Sequence, residues 1–515
     1  MVGAAFAFFV LITCYKLTNA PLWFDETIEF WYSKIMFGKL PFVGAGLNAS
    51  TDINMYQRIL STYQPPLYNV IMHFWLKIGT SEWWFRFFGV VMGLIGNIGI
   101  YKAVKRISNA YLAAVSVFFS SCVFRLVYYW QECAEYCLML GILCWTIYAF
   151  ICLLEEQSRR NIVIFTVLSV LPVYSQYGAA FPVAAMLIIA YVYTASKKNK
   201  KTIITISVSY FAAFVFAALP LIYFFLIKQM RYQQGGDIQA VKFSVEGNIV
   251  SDMFRGFKTT ISWNLFSYYN DLVAIVFSCL FVLCIVLFVV VSKKTCVRSL
   301  AITNIITWLL YYLAVKLGMY SYGSFGSRYS LFFIPLWLVS IFCFGYQICG
   351  LLRRFLDEKF KGSSYIYTGM CMAMIVCFMV SSWTMKLQQN WTKEDMRTAV
   401  NTWLEIGAQN SHTVVYYGGD SGFAYYLQTK ENYSPKMEKN VAYMPWMRDK
   451  TVEEYTDYIN SLYEDEWPHE IYIIGTHTRE DINTLASAFT DRGYIRDNLN
   501  TSNSTLMKLT YIKSE

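Results

Sequence analysis

Long apolar runs alternate with short polar breaks from the start of the chain to about residue 384. A helix needs about 20 predominantly apolar residues to cross bilayer hydrocarbon. Runs of that order fall near 1–18, 83–104, 109–128, 136–154, 161–176, 178–195, 203–227, 271–292, 299–319, 329–350 and 365–384, which predicts eleven crossings. The first run has neither a basic start nor a small-residue cleavage site, so it reads as a retained helix. One apolar stretch, Pro65–Gly79, has only 15 residues. It would span about 22 Å as a helix, and the pattern predicts a helix lying at the outer surface or crossing half-way, opened by its Pro pair.

Two segments carry other periods. In Leu22–Leu40, Phe24, Ile28, Trp31 and Ile35 share one helical face, and Asp25, Glu29 and Tyr32 fall on another. One reading is an amphipathic interfacial helix with its carboxylates in water. Beyond Leu387, VVYYGG (414–419) and EIYIIG (470–475) read as strands ending in Gly, Glu480–Arg492 as a helix, and Thr505–Ile512 as a last strand. The pattern therefore divides the chain into a transmembrane domain, 1–387, and a small α/β domain, 388–515.

Composition narrows the class. Hydrophobic residues are 56%, charged residues 15% and the mean hydropathy is +0.37, against roughly 25% charged in soluble domains. This excludes a cytosolic enzyme, a disordered chain and a nucleic-acid binder. Residues 1–387 hold 31 Lys+Arg and 15 Asp+Glu, whereas 388–515 hold 12 and 19. The basic excess sits in Lys102–Arg106, Arg159–Arg160, Lys197–Lys201, Lys293–Arg298 and Arg353–Lys361. Placing all five on the cytoplasmic side puts Asp25, the 129–135 turn, the Gln176 turn, the 229–270 and 320–328 loops and the tail on the outer face. Four histidines, His73, His412, His469 and His477, are too scattered for a His-based metal cage.

Candidate chemistry concentrates on that outer face. Asp25 and Glu26 stand at the exit of the first apolar run, where a carboxylate beside hydrocarbon is costly and points to function. Asp25 suits proton abstraction from a hydroxyl, while Glu26 also suits a helix N-terminus. Arg328 can meet a phosphate through its planar fork, or anchor with Tyr329 at the headgroups. Arg231, Lys242, Arg255 and Lys258 could draw an anionic lipid toward the 229–270 loop, or be ordinary loop charges. Gly418–Gly422 follows a strand but matches no phosphate-loop pattern, and reads as a strand-to-helix turn.

Trp23-Phe24-Asp25-Glu26, then Gln64-Pro65-Pro66-Leu67-Tyr68, then Ser81-Glu82 with Arg86, resembles the start of the GT-C polyprenyl-phosphate-sugar glycosyltransferases. That group includes protein O-mannosyltransferases and lipid A aminoarabinose transferases. The resemblance covers roughly 1–350. It implies a polytopic α-helical membrane protein of GT-C type, with outer juxtamembrane helices and a C-terminal extracytoplasmic α/β domain. It implies Asp25 as catalytic base with Glu26 shaping the site, and Arg328, Tyr329 and Arg86 at the donor phosphate and lipid. It implies Gln64, Glu132, Tyr136, Gln176 and Tyr177 as further site-lining residues. Ala134 stands where the family pattern has Arg, and Gln64 and Gln176 stand where His or a metal-binding side chain is frequent. Glutamine is a poor zinc ligand, so transfer with neither metal nor cofactor is expected.

The implied activity is inverting transfer of a sugar from a polyprenyl-phosphate donor to a glycan, lipid or protein hydroxyl at the outer face of the plasma membrane. A lipid-linked glycan transporter is the alternative, but duplicated halves are not visible. The Trp-Trp-Asp motif of oligosaccharyltransferases is absent, since Trp83-Trp84-Phe85-Arg86 does not match it.

Overall fold

The computed structural model describes residues 1–41, 54–62, 64–233, 248–266, 271–320, 324–357, 393–416, 418–445, 447, 449–464, 466–476, 479–499 and 503–512. The chain divides into two compact units. One comprises 1–15, 63–68 and 86–389, and the other 16–62, 69–85 and 390–515. The expected crossing at 365–384 and the boundary after Leu387 lie outside the described residues.

The first unit is helical. It begins with α1 (Val2–Cys14); the second unit holds α2 (Phe24–Lys34), α3 (Met55–Ser61) and α4 (Leu67–Trp75, from Asn69). Then follow α5 (Glu82–Ile107), α6 (Ala110–Ser120), α7 (Phe124–Gln131), α8 (Glu135–Glu155), α9 (Arg159–Ser175), α10 (Ala180–Ser196) and α11 (Lys200–Met230). After the loop come α12 (Ile249–Ile261), α13 (Asp271–Val291), α14 (Thr295–Lys316) and α15 (Phe333–Asp357). Seven described helices are long and apolar enough to cross a bilayer, and the pair α6–α7, bent by 68°, has the length and composition of a broken span or a re-entrant loop. The chain is thus an integral membrane protein. Val2–Cys14 is only 13 residues, and Arg159–Ser175 is 17. The stretch expected at 65–79 forms the nine-residue α4.

The α6–α7 break is a departure from the single run read at 109–128. Ser120 and Ser121 turn their hydroxyls onto the carbonyl of Val117 at 2.8 Å, and such back-bonding bends helices. The chain restarts at Phe124 after an extended Val123.

The core of this unit is α8, buried along nearly its whole length and packed against α9, α10, α14 and α15. Small residues let α5 approach it. A Cβ on Gly96 would lie 3.1 Å from the Gly141 Cα, and one on Gly89 would lie 2.5 Å from the Trp130 carbonyl oxygen. Buried amides tie helices together where water is excluded: Asn304 donates to Ser340 at 2.8 Å and Asn264 to Ser330 at 3.1 Å. By contrast α11 is apolar yet exposed on most of its surface, with Phe216 at 81%, as a lipid-facing helix is.

The second unit is α/β. After α16 (Met396–Glu405) the chain runs through β1 (His412–Val415), α17 (Asp420–Gln428), β2 (Val441–Tyr443), α18 (Val452–Tyr463), β3 (Glu470–Gly475), α19 (Arg479–Thr490), β4 (Tyr494–Asn498) and β5 (Thr505–Tyr511). The sheet order is β2-β1-β3-β5-β4. The first three strands are parallel, and β5 is antiparallel to both β3 and β4. Val414, Tyr416, Ile471, Ile473, Leu485, Phe489 and Leu509 form its core. At the strand ends Gly419 touches Gly475, where a Cβ would meet the Gly475 Cα at 2.8 Å. The expected strand-to-helix turn at 418–422 is present, leading from β1 into α17.

The α5 packing predicts that Gly89→Ala forces the Trp130 backbone aside. It should cost about 1–3 kcal/mol and lower the melting temperature of the detergent-purified protein. Gly345→Ala, where nothing lies within 4 Å, should not. Equal melting of the two variants would contradict the packing.

Candidate functional site

The second unit holds Asp25 and Glu26 in the first turn of α2. Glu26 is 1% exposed, and its Oε2 accepts from the Trp23 amide at 3.4 Å, which closes the helix start. The amide of Phe24 donates to Glu394 Oε2 at 2.8 Å. One turn on, the Thr27 and Ser421 hydroxyls pair at 2.7 Å, and the Trp31 indole donates to the Ser421 carbonyl at 3.0 Å. Asp25 itself is half-buried.

The polar face of α2 corrects the reading of solvated carboxylates. Glu29 and Tyr32 are 5% and 3% exposed, because α2 is covered on this side as well. Glu29 accepts from Asn69 Nδ2 at 2.9 Å, and Asn69 also reaches Ser33 at 3.2 Å. The Arg58 guanidinium lies 5.7 Å from the Tyr32 ring centre and donates to the Gly38 carbonyl at 2.7 Å. Burial pushes the Tyr32 phenol well up and pulls the Arg58 guanidinium down. Asp420, at the start of α17, bears on Tyr32 of α2 and Tyr443 of β2. Its Oδ1 accepts from the Ser421 amide at 2.7 Å, and burial raises its carboxyl to about 7.

In the first unit the helix ends gather the remaining candidates. Tyr177 donates to Gln229 Oε1 at 2.6 Å, and Gln229 Nε2 donates to the Gln64 carbonyl at 2.8 Å. Gln176 Nε2 donates to the Tyr320 hydroxyl at 2.8 Å, and Tyr320 donates to the Tyr329 carbonyl at 3.1 Å. Gln64 is thus linked to Tyr177, and Gln176 to Tyr329, through two bridging residues, Gln229 and Tyr320, that carry no local sequence signal.

Beside them, the α7–α8 junction is acidic. Glu132 ends α7 in an extended conformation and Glu135 opens α8, both buried. The charges of Glu132, Arg125, Arg328 and Glu135 all bear on the Tyr129 hydroxyl, and Glu135 and Arg328 also bear on Tyr136. The Tyr129 and Tyr136 rings meet edge to face at 5.2 Å. Arg328 lies 5.5 Å from the Tyr329 ring centre, and Arg125 lies 4.4 Å from the Trp263 ring centre. Arg86 is buried in the second turn of α5. Ala134 leaves the family's Arg position without a charge, yet Arg125, from the preceding helix, brings a guanidinium to this junction.

The Gln176 side chain is already engaged within the protein. Gln176 uses its Oε1 on the Gly178 amide at 2.7 Å and its amide nitrogen on Tyr320. Among the described residues no group of three or more His, Cys, Asp or Glu side chains is placed to hold an ion.

Residues 63–224 match the family described as dolichyl-phosphate-mannose-protein mannosyltransferase. No curated protein matches the chain. The oligosaccharyltransferase of Archaeoglobus fulgidus in its apo form is similar over 95% of this chain and 71% of its own, at 10% identity and a TM-score of 0.54. The same enzyme tethered to an acceptor peptide containing the NVT sequon is similar over 100% and 74%, at 9% identity and 0.50. ArnT of Cupriavidus metallidurans bound to undecaprenyl phosphate is similar over 98% and 97%, at 12% identity, with a TM-score of 0.47. The chain has the GT-C fold, as the sequence resemblance implies.

Asp420 generates a pH prediction. Its native value near 7 lies above the ordinary 3.8, so the folded state holds a proton that the unfolded state releases. Its contribution to stability is complete below about pH 4 and is lost as pH rises through 7. Asp420→Asn should therefore melt higher than wild type at pH 8, by roughly 1–4 kcal/mol, and converge with it near pH 4. Parallel melting curves across that range would contradict the assignment.

Proposed function

We propose that the chain is an inverting glycosyltransferase, moving a sugar from a polyprenyl-phosphate donor to a hydroxyl acceptor at the extracytoplasmic face. The observation that carries the reading is the meeting of Arg328 and Arg125 with Glu132, Glu135, Tyr129 and Tyr136 at the α7–α8 junction, in a chain with the GT-C fold. Two guanidinium groups whose charges reach the same buried tyrosine hydroxyl suit a phosphate. The family match over 63–224 supports a lipid-phosphate sugar as donor. An apolar cleft of about 430 Å³ between α9, α10 and α11, lined by Val183, Leu187, Phe214 and Leu221 and reached by Tyr177, suits the polyprenyl chain.

In this mechanism the Asp25 carboxylate takes the proton of the acceptor hydroxyl as its oxygen attacks the anomeric carbon. The bond from that carbon to the phosphate oxygen breaks on the opposite side, and one displacement inverts the configuration. The electron pair leaves with the polyprenyl phosphate, whose charge is held by Arg328 and Arg86. Glu26 closes the helix start beneath Asp25. Gln64, Gln176, Tyr177 and Tyr329, linked within the first unit through Gln229 and Tyr320, are assigned to the donor side with Glu132 and Tyr136. No step uses a metal or cofactor.

The test is transfer by purified protein from a panel of polyprenyl-phosphate sugars, read by thin-layer chromatography. Asp25→Asn should lose at least about a hundredfold in rate while staying folded, and EDTA should leave wild-type transfer intact. Wild-type turnover by Asp25→Asn would remove it from the mechanism. Orientation is checked separately on a cysteine-depleted background. Cysteine at the exposed Ser461 should react with a membrane-impermeant maleimide in intact cells, and cysteine at Asn199 only after the membrane is opened. The reverse pattern would place the site on the cytoplasmic side.

A further inference from the structure

The segment 393–397 grips the start of the helix that carries Asp25. The Lys393 ammonium sits 3.2 Å from the Trp23 ring centre. Glu394 Oε2 accepts from the Phe24 amide at 2.8 Å. Asp395 turns the other way and caps α16, accepting from the Thr398 amide at 3.0 Å, while its own amide donates to Ser504 at 2.9 Å. Arg397 then donates to the Thr18 carbonyl at 3.0 Å and pairs with Glu82. Consecutive carboxylates thus satisfy the first turns of two different helices, and one of those helices begins with Asp25.

We propose that Glu394 is a positioning residue for Asp25: it caps α2 from the C-terminal domain and fixes the direction in which the Asp25 carboxylate leaves the helix start. The physical reason is the orphan amides of a helix N-terminus. The first four N–H groups have no partner within the helix, and Trp23 at the cap position has no side-chain oxygen to offer. Glu394 fills that role across 370 residues of sequence, 5% exposed, with its charge at the positive end of the α2 dipole. Ser421, bonded to Thr27 and Trp31 one turn on, prevents α2 from rotating about that cap. The C-terminal domain therefore serves as the mount of the helix start that carries Asp25. This rests on the reading of Asp25 as base.

The test compares Glu394→Ala, Glu394→Gln and Glu394→Asp in the full-length protein by two measurements. Hydrogen exchange of the amides at 24–28 reads the cap without reference to catalysis. Exchange should speed up roughly tenfold in the Ala and Asp variants and stay near wild type in Gln, whose amide oxygen still reaches the Phe24 amide. Transfer kinetics should follow the same order: kcat down about tenfold or more for Ala and Asp, near wild type for Gln, with the donor KM within about twofold throughout. Should Glu394→Ala fail to fold, the Gln and Asp pair decides alone. Unchanged exchange in Asp, or equal loss in Gln and Asp, would overturn the cap. Faster exchange with unchanged kcat would overturn the positioning role. Full activity in Asp25→Asn would instead sink the base assignment and leave the exchange result standing.

Discussion

A helix that starts in the open must find partners for its first amides, and α2 finds one nearby and one far away in the chain. Trp23 turns to Glu26, and Phe24 turns to Glu394. The second unit follows from that demand. Because α2 depends on Glu394 and Ser421, residues 16–62 and 69–85 fold with the C-terminal α/β domain and not with the transmembrane helices that flank them in sequence. Burial of Glu29, Tyr32, Arg58 and Asp420 in the same unit is a consequence. Polar groups removed from water need hydrogen-bond partners, and Asn69, Gly38 and the Ser421 amide supply them.

The transmembrane unit meets the opposite problem. Its helices are held by apolar packing that has no directional preference, and direction comes from a few polar links: Asn264 to Ser330, Asn304 to Ser340, Gln176 to Tyr320, and Tyr177 through Gln229 to Gln64. The last two join the helix ends that carry the candidate residues Gln64, Gln176, Tyr177 and Tyr329. At the α7–α8 junction the acids Glu132 and Glu135 and the guanidinium groups of Arg125 and Arg328 bear on the same Tyr129 hydroxyl. A phosphate would pair with the arginines.

Much of this was legible from residues 1–90 and from simple periodicity. Asp25 stands out because a carboxylate at the exit of an apolar run is costly, and Arg328-Tyr329 because the pair precedes an apolar helix. Strands β1, β3 and β5 show in their β-branched runs. Other parts left no local trace. The strand β2 is three residues, Val441–Tyr443, and β4 reads Tyr-Ile-Arg-Asp-Asn with most of its side chains exposed, so neither has a pattern to detect. The α6–α7 bend carries no Pro or Gly. Glu394, Ser421, Arg125, Gln229 and Tyr320 act only through partners brought in by tertiary structure, which no spacing rule reports. Glu29 and Tyr32 were visible as a polar stripe, and only the packing of the second unit shows that the stripe is covered.

The most direct measurement is the anomeric configuration of the product. Transfer from a polyprenyl-phosphate sugar of defined anomer, followed by nuclear magnetic resonance of the isolated glycoside, reads the geometry of the displacement itself. A single attack assisted by Asp25 predicts the configuration opposite to that of the donor. A product that retains the donor's configuration would require two successive displacements and would contradict the proposed mechanism.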